Sequence, residues 1–563
     1  MSATTYTTSK ASQLTGGQAV VEALLRCGVT CGFGIPSIHN IGIYDALRQQ
    51  PSFHHWIVRH EQAAGFAADG FFRLSGKRAV VFASTGPGNL FTLVPLLESF
   101  QTNTPVIVVG ANVATPLLDK ACGALHETPQ QLEIVKPLTR FAVRVASQEM
   151  IPEAIAAAAG AGGPAFVEIP QDLFYVPLAA SASRGLPTPS KKSEQMPSKE
   201  EIAKVAATVE LSRKPAVLVG SGVAEEAAAA VRQFAEALQA PILTTTSGKG
   251  LIADDHTLAM GCISRLGVVQ ELLQESDLLI SFGVRLTEFD TGRFALKLPA
   301  RHIQVDPRVR QAGSLFPLSA GLVGDIDAIA KTLSAGIKPR EPWWDVAKAK
   351  AAERERLEAL HQDGYAAVML LRGALDRNDV VANDQSILNY WASAFFPVLE
   401  PRTFLYPTGS GTLGYGLPAA IGAACAARKY AKPGRVICIA GDGGFQYTAH
   451  ELATLSQYDL PVKILLVNDN SYGIIGFLQR AAFGQTHEVA LKNPDFCRLA
   501  ESFGIRAQRA LDLEELRGQL PNWLESPGPA LLEWRTELKS PWEAGAIRRP
   551  ANLQPPNSAK EQR

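Results

Sequence analysis

Two parts of this chain, far apart in sequence, are variations on one pattern. Arg78-Ala79-Val80-Val81-Phe82-Ala83-Ser84-Thr85-Gly86 is answered by Arg435-Val436-Ile437-Cys438-Ile439-Ala440-Gly441-Asp442-Gly443. Each run is followed by an apolar stretch that opens with Pro-Val, at Pro105 and at Pro461. Farther on, Gly163-Pro164-Ala165-Phe166-Val167-Glu168 returns as Gly528-Pro529-Ala530-Leu531-Leu532-Glu533. Short apolar runs ended by glycine and separated by helix-length segments read as buried parallel strands joined by crossover helices. Repetition of such units commits the first and last thirds of the chain to the same α/β fold.

Between the repeats, the Ser-, Pro- and Lys-rich stretch 180–200 reads as a linker. After it, Lys214-Pro215-Ala216-Val217-Leu218-Val219-Gly220-Ser221-Gly222 opens a third α/β unit, continued by strands over 277–282 and 302–306. A charged helix over 343–360 makes a second linker. The expected architecture is α/β, with three doubly wound parallel-sheet domains over 12–180, 199–337 and 361–540 and a tail over 541–563 that is disordered or a flap. A chain of 563 residues is too long for one core, since single cores stop growing near ~250–300 residues. In the first domain, Thr15 and Gln18 form the capping box of a helix reaching Gly28. A strand over 29–33 leads into Gly34-Ile35-Pro36-Ser37-Ile38-His39, and another strand ends at Arg59-His60-Glu61.

Lys plus Arg and Asp plus Glu number 54 each, so no nucleic acid or other polyanion is an expected partner. Residues 1–13 are polar and lack the apolar core of a signal peptide, and no apolar run approaches the length of a membrane span. The seven cysteines show no Cys-x-x-Cys spacing and several sit in apolar runs, which suits buried thiols in a reducing compartment. A cytoplasmic protein without a membrane partner is expected.

The chemistry gathers at Gly441-Asp442-Gly443-Gly444, at the end of one apolar run, and at Val467-Asn468-Asp469-Asn470-Ser471, at the end of the next. Each is the tip of a buried parallel strand, one strand-helix-strand unit apart, so Asp442 and Asp469 should lie side by side at the carboxyl edge of one sheet. Few carboxylates completed by phosphate oxygens are the usual way to hold Mg²⁺.

This pair resembles the signature of thiamine diphosphate enzymes, Gly-Asp-Gly followed after one crossover by Asn-Asn or Asn-Asp. The order of domains resembles that of the branch containing acetolactate synthases, pyruvate oxidases and benzaldehyde lyases: pyrimidine-binding, central and diphosphate-binding. The resemblance implies thiamine diphosphate and Mg²⁺ as cofactors, with Asp442, Asp469 and the Ser471 carbonyl on the metal. It extends the cofactor site to Gly441, Gly443, Gly444, Tyr472, Gly473 and Ile474, with Gln385 and Ser386 near the diphosphate. In Gly409-Ser410-Gly411-Thr412-Leu413-Gly414-Tyr415-Gly416, Leu413 would be the wedge that bends the cofactor and the Gly411 carbonyl would accept its 4′-amino group. Glu61 matches the acid that bonds pyrimidine N1′ and so activates thiazolium C2. Since members of the branch place the cofactor between two subunits, a homodimer is the minimum and a homotetramer is expected. FAD in the central domain is possible through the Gly220-Ser221-Gly222 turn, but a purely structural central domain is favoured.

The side chains above the thiazolium distinguish members of the family. Here His39, His126 and Glu127 are the candidates, with Ile474, Ile475 and Phe477 shaping the substrate pocket. Glu127 stands where acetolactate synthases carry Gln, Arg140 where they carry Lys, and the adjacent His pair of pyruvate decarboxylases is missing. Arg59-His60-Glu61-Gln62, Leu125-His126-Glu127-Thr128 and Asn493-Pro494-Asp495-Phe496 resemble segments of the 2-ketoarginine decarboxylase group. The implied reaction is decarboxylation of a 2-oxo acid through an enamine, with or without carboligation to an aldehyde or ketone. The alternatives are an acetolactate synthase or benzaldehyde lyase type of carboligase and a catalytically silent nucleotide-binding paralogue.

Overall fold

The computed structural model describes residues 14–178, 196–265, 267–307 and 315–548. Three six-stranded sheets, all parallel, organise the chain. The first contains β1 (Cys31–Gly34), β2 (His54–Ile57), β3 (Val80–Ala83), β4 (Ile107–Asn112), β5 (Phe141–Arg144) and β6 (Ala165–Pro170). The second contains β7 (Pro215–Val219), β8 (Ile242–Thr244), β9 (Ala259–Cys262), β10 (Leu278–Phe282), β11 (His302–Asp306) and β12 (Ala320–Val323). The third contains β13 (Val380–Asn383), β14 (Phe404–Leu405), β15 (Val436–Gly441), β16 (Val462–Asn468), β17 (Arg506–Ala510) and β18 (Ala530–Arg535).

The strand order of the first sheet, β2-β1-β3-β4-β6-β5, is reproduced in the third as β14-β13-β15-β16-β18-β17. The repeat read in the sequence is therefore a repeat of topology, with β3 answering β15 and β6 answering β18. It extends to a buried polar cluster. Glu168 on β6 accepts from Asn112 at the end of β4 (2.9 Å) and pairs with Arg144 on β5. Glu533 on β18 accepts from Asn468 at the end of β16 (2.7 Å) and pairs with Arg509 on β17 (2.6 Å). A carboxylate in the middle of a sheet is stable only when its oxygens are met in this way.

The second sheet, ordered β12-β11-β10-β7-β8-β9, changes direction between β7 and β10. A crevice at such a point is where open α/β sheets take ligands. Here two glycine turns fill it with backbone: Gly222 N donates to the Gly283 carbonyl at 2.9 Å, and a Cβ on Gly220 would sit 2.5 Å from that oxygen. The close approach accounts for Gly220 and Gly222 without a nucleotide.

The chain forms two compact units, one built on the first sheet and the other containing the second and third. Within the latter, Asp254 accepts from Val398 N (2.8 Å), Arg265 Nε donates to the Ala394 carbonyl (3.0 Å) and Ser247 bonds Thr408 (2.6 Å). The charged linker helix is Val346–Glu358.

Several sequence expectations shift. The Thr15–Gln18 capping box is present, but its helix ends at Arg26. The second strand stops at Ile57, and Glu61 is the first residue of the helix Glu61–Ser75, whose N-cap His60 accepts from Gln62 N through its ring. The segment expected as a tail is packed through its first residues. Ala546 and Ile547 join the core of the third sheet, and Arg356 Nη2 donates to the Ala546 carbonyl at 2.9 Å. Its remainder, 549–563, the segment 1–13 and most of the 180–200 linker lie outside the described residues. All seven cysteines are free. No helix among the described residues is long and apolar enough to cross a membrane.

Candidate active site

In the third sheet the ladder between β15 and β16 pairs Gly441 with Val467, so both strand tips end together as their acids begin. Asp442 is 2 % exposed and opens the short helix Asp442–Gln446. The first N–H groups of a helix have no carbonyl partner within it, and here they belong to Asp442, Gly443 and Gly444. Asp469 follows β16 directly, accepts from Ser471 N at 3.0 Å and precedes Asn470 in the left-handed region (φ 53°). Burial and then the negative charge of Asp442 push the Asp469 carboxyl up to about 7. Burial also raises Asp442, against the hydrogen bond from Asn493. Two crowded carboxylates of this kind are a hard-oxygen donor set short of a cation.

The neighbouring glycines leave space where a side chain would collide. A Cβ on Gly473 would lie 2.5 Å from Asp469 Oδ2, one on Gly443 2.6 Å from the Tyr472 ring, and one on Gly441 2.8 Å from Ser386 Cβ. Ser386 caps the helix Ile387–Phe395, so it too sits at a strand-to-helix turn. Beside it, Gln385 accepts from the Tyr406 hydroxyl at 3.1 Å.

Gly411 and Gly414 adopt φ of +63° and +81°, and a Cβ on Gly414 would meet Tyr447 at 2.7 Å. This glycine loop is tied to the tip of β13 by Asp384, which the sequence reading had not singled out. One Asp384 oxygen accepts from Gln385 N (2.8 Å) and Gly414 N (3.1 Å), the other from Gly416 N (2.9 Å). Leu413 Cδ2 is 3.5 Å from where a Gly444 Cβ would stand, so the expected wedge borders the Gly443-Gly444 turn. Ile475 is 45 % exposed and Ile474 is half-buried against the core, but Phe477 is 3 % exposed. Phe477 is thus turned away from solvent on the same helix.

In the first sheet's unit, His39, Glu61 and His126 surround the turn after β3. His39 is 3 % exposed; its Nδ1 lies 3.4 Å from Ser84 Oγ and its ring centroid 5.0 Å from that of His126. Burial, then the nearby His126, hold His39 below the usual histidine range and keep it neutral at pH 7. Glu61 Oε1 lies 3.0 Å from the position of a Gly88 Cβ, so its carboxyl spans that glycine, and no hydrogen bond to it is made among the described residues. An acceptor left open at a helix N-terminus is available to a ligand.

Glu127 is placed differently from its neighbour. Its Oε2 accepts from Gly123 N (2.9 Å) and Ala124 N (3.1 Å), closing its own turn. It lines a cavity of about 580 Å³ with Asp119, Glu133 and Arg144, whose walls include neither His39 nor Glu61. The left-handed backbone at His126 (φ 64°) separates the directions of the two adjacent side chains. Arg140 is held apart from all of these, donating to Asn103 Oδ1 (3.0 Å) with its guanidinium over the Phe100 ring.

Two further side chains, Gln131 buried and Asn493 partly buried, are not singled out by the sequence. Gln131 accepts from Gly86 N (2.8 Å) and donates to Glu168 (2.7 Å), bracing the turn beside Glu61. Asn493 donates to Asp442 Oδ2 at 2.5 Å. Asn493 was visible only as part of Asn-Pro-Asp-Phe; nothing local marks Gln131.

Parallel α/β layers with acidic strand tips among glycine turns are those of a cofactor-dependent α/β enzyme. Comparison with known proteins identifies which. Residues 14–135, 202–333 and 384–534 match the N-terminal TPP-binding, central and C-terminal TPP-binding domains of the thiamine pyrophosphate enzymes. The chain belongs to that family. It is 34 % identical over 536 residues to a probable 2-ketoarginine decarboxylase of Pseudomonas aeruginosa, covering 93 % of this chain and 94 % of the relative. It is 32 % identical over 557 residues to a probable acetolactate synthase large subunit of Methanocaldococcus jannaschii, covering 92 % and 91 %. The large subunit of acetolactate synthase isozyme 2 of Escherichia coli is 30 % identical over 553 residues, covering 94 % and 97 %. The residues present suit the cofactor: the oxygen-only set Asp442 and Asp469 fits a hard cation, and the glycine turns leave room for phosphate.

Proposed function

We propose that the chain is a thiamine diphosphate- and Mg²⁺-dependent enzyme that decarboxylates a 2-oxo acid. The observation that carries this reading is the pair of strand-tip carboxylates, Asp442 buried and Asp469 partly buried, the second pushed up to about 7 by burial and by the first. Bound thiamine diphosphate would supply the electron sink that accepts the pair released as CO₂ leaves. The chain's own residues do the rest. Asp442, Asp469 and the Ser471 carbonyl hold the cation; the N–H groups at Gly443 and Gly444, with Gln385 and Ser386, meet the diphosphate. Tyr472, Gly473 and Ile474 close the turn beside it, while Leu413 and Gly411 shape the pyrimidine side. Glu61 offers its open carboxyl to the pyrimidine. Neutral His39, its ring tilted against that of His126, would exchange a proton with the substrate.

The reaction requires Glu61 and the metal site together, and the family joins them across subunits. A homodimer at least, with a homotetramer expected, follows from this reading. Ile38, Phe91 and Leu125 around His39 and Glu61 are 58 %, 46 % and 62 % exposed, apolar surface that suits a partner subunit.

A carboligase is the second reading, favoured by the acetolactate synthase relatives. Incubating the holoenzyme with pyruvate alone and then with aliphatic and guanidino 2-oxo acids separates the two. Aldehyde as the product supports decarboxylation; acetolactate from pyruvate supports the carboligase. A chain that takes up no thiamine diphosphate with Mg²⁺ by calorimetry is neither.

A further inference from the structure

We propose that Asn493 is a positioning residue for the cation site, holding Asp442 so that one carboxylate oxygen is reserved for the metal. The inference rests on the functional reading above and adds a residue to it. Asn493 Nδ2 lies 2.5 Å from Asp442 Oδ2, 3.0 Å from Asn468 Oδ1 and 3.2 Å from Asn470 Oδ1. Its Oδ1 accepts from Gln446 Nε2 at 2.7 Å, which fixes the amide orientation. An NH₂ group has two hydrogens for three acceptors, and the shortest contact is the one to a carboxylate, where a charge-assisted bond is strongest. The Asp442 carboxylate is also met by the backbone N–H groups of Gly443 and Ser471; with Oδ2 held by Asn493, Oδ1 is the oxygen the proposal assigns to a cation.

The contact is the end of a longer chain. Asn468, which faces Asn493 through its oxygen, donates through Nδ2 to Glu533 Oε1 (2.7 Å). Glu533 is fully buried and fixed by Arg509 Nε (2.6 Å) and Arg535 Nε (3.1 Å). Burial alone would raise the Glu533 carboxyl; these three hydrogen bonds outweigh it and hold it below the usual range. Asn493 also belongs to a segment laid along the metal loop: Tyr472 N donates to the Val489 carbonyl (2.9 Å), Leu491 N to the Asn470 carbonyl (2.7 Å), and Ser471 pairs antiparallel with Ala490. One amide thus joins the ion pair in the sheet, the overlying segment and a metal ligand.

The first sheet supplies the contrast. It carries the same Arg144–Glu168–Asn112 cluster. By the repeat, however, Asp442 is answered there by Thr85, and Asp469, next after Asn468, by Val113, next after Asn112. The cluster is thus common to both sheets, and its extension to a carboxylate occurs where a metal site is proposed.

Residues that orient metal ligands typically contribute about 10–100-fold in metal affinity. In the full-length protein, Asn493→Ala should raise the Mg²⁺ concentration needed for half-maximal thiamine diphosphate uptake, followed by calorimetry, by about that factor. Turnover at saturating Mg²⁺ should fall by much less. Gln446→Ala, which removes the bond that orients the Asn493 amide and leaves the amide itself, should shift the Mg²⁺ requirement in the same direction by a smaller factor. If Asn493→Ala does not fold, Asn493→Ser, too short to reach Asp442, should weaken Mg²⁺ in the same way. An unchanged Mg²⁺ requirement overturns the assignment, as does a loss of turnover that saturating Mg²⁺ does not restore, accompanied by a lower melting temperature of the metal-free protein. Wild type that fails to bind Mg²⁺ with thiamine diphosphate would instead sink the functional reading itself.

Discussion

Without the proposed cation the charges of Asp442 and Asp469 oppose each other, and Asp469→Asn turns that conflict into a measurable stability. In the metal-free fold, burial and the charge of Asp442 raise Asp469 from 3.8 to about 7. A folded-state value above the unfolded one means that the folded chain holds the proton more tightly. The associated stability is fully present below about pH 4 and is lost as pH rises toward 7. At about 1.36 kcal/mol per tenfold difference in proton affinity, the gap corresponds to about 4 kcal/mol as an upper bound, and solvent entering the empty cation site reduces it. Asn keeps the oxygen that accepts from Ser471 N and removes the charge. For a domain of 150–250 residues, each kcal/mol is worth about 2–4 °C. In chelator at pH 8.5, Asp469→Asn should therefore melt several degrees above wild type, and the difference should shrink by more than half by pH 5. With Mg²⁺ and thiamine diphosphate the gap should narrow, because wild type gains about 2.7 kcal/mol at a hundredfold excess over its dissociation constant and the variant, short of one ligand, gains much less. Scanning calorimetry of both proteins across pH, with chelator and then with cofactor, reads all of this. Parallel pH traces for the two chelated proteins would refute the argument.

Glu61→Gln should bind thiamine diphosphate as wild type does and lose roughly two or more orders of magnitude in turnover, the usual effect of removing a general acid or base; near-normal turnover contradicts the assignment. Asp384→Asn turns one side of a three-N–H acceptor into a donor, costing about 1.5–3 kcal/mol. It should show as faster hydrogen exchange at Gly414 and Gly416, and unchanged exchange there would refute the clamp. Glu127→Gln keeps an oxygen for Gly123 N and Ala124 N, so we expect equal, modest losses on an aliphatic and a guanidino 2-oxo acid. A loss confined to the guanidino substrate would assign the 580 Å³ cavity, with Asp119 and Glu133 in its wall, to the cationic tail.

The strands were legible because a buried parallel strand must be a short apolar run. Their edges were not, because apolarity and pairing do not coincide. Val106 is buried yet precedes β4, which begins at Ile107, after Pro105, a residue with no N–H to give a ladder. Asp442 and Asp469 were legible because each directly follows its strand, so local sequence alone placed them on one edge. Glu61 was legible as a carboxylate but not as a helix start, since a histidine N-cap carries little sequence signal. Phe477, an apolar residue on a helix next to the metal motif, reads equally as wall or core until the helix is oriented.

What could not be read are contacts between loops distant in sequence. Asn493 reaches Asp442 across 51 residues and Asp384 reaches Gly416 across 32, and no periodicity encodes a side-chain amide meeting a carboxylate at that separation. The repeat shows why this matters. Glu168 and Glu533 were visible as matching residues, yet their meaning lay in side chains on other strands: Asn112 and Arg144 for one, Asn468 and Arg509 for the other. That shared cluster stabilises a sheet edge whether or not chemistry happens there. The two edges differ instead at single positions following their strands, Thr85 against Asp442 and Val113 against Asp469. Since the buried cluster is the same in both sheets, the proposed metal affinity has to come from those exchanges and from the groups, Asn493 first among them, that aim the new carboxylates.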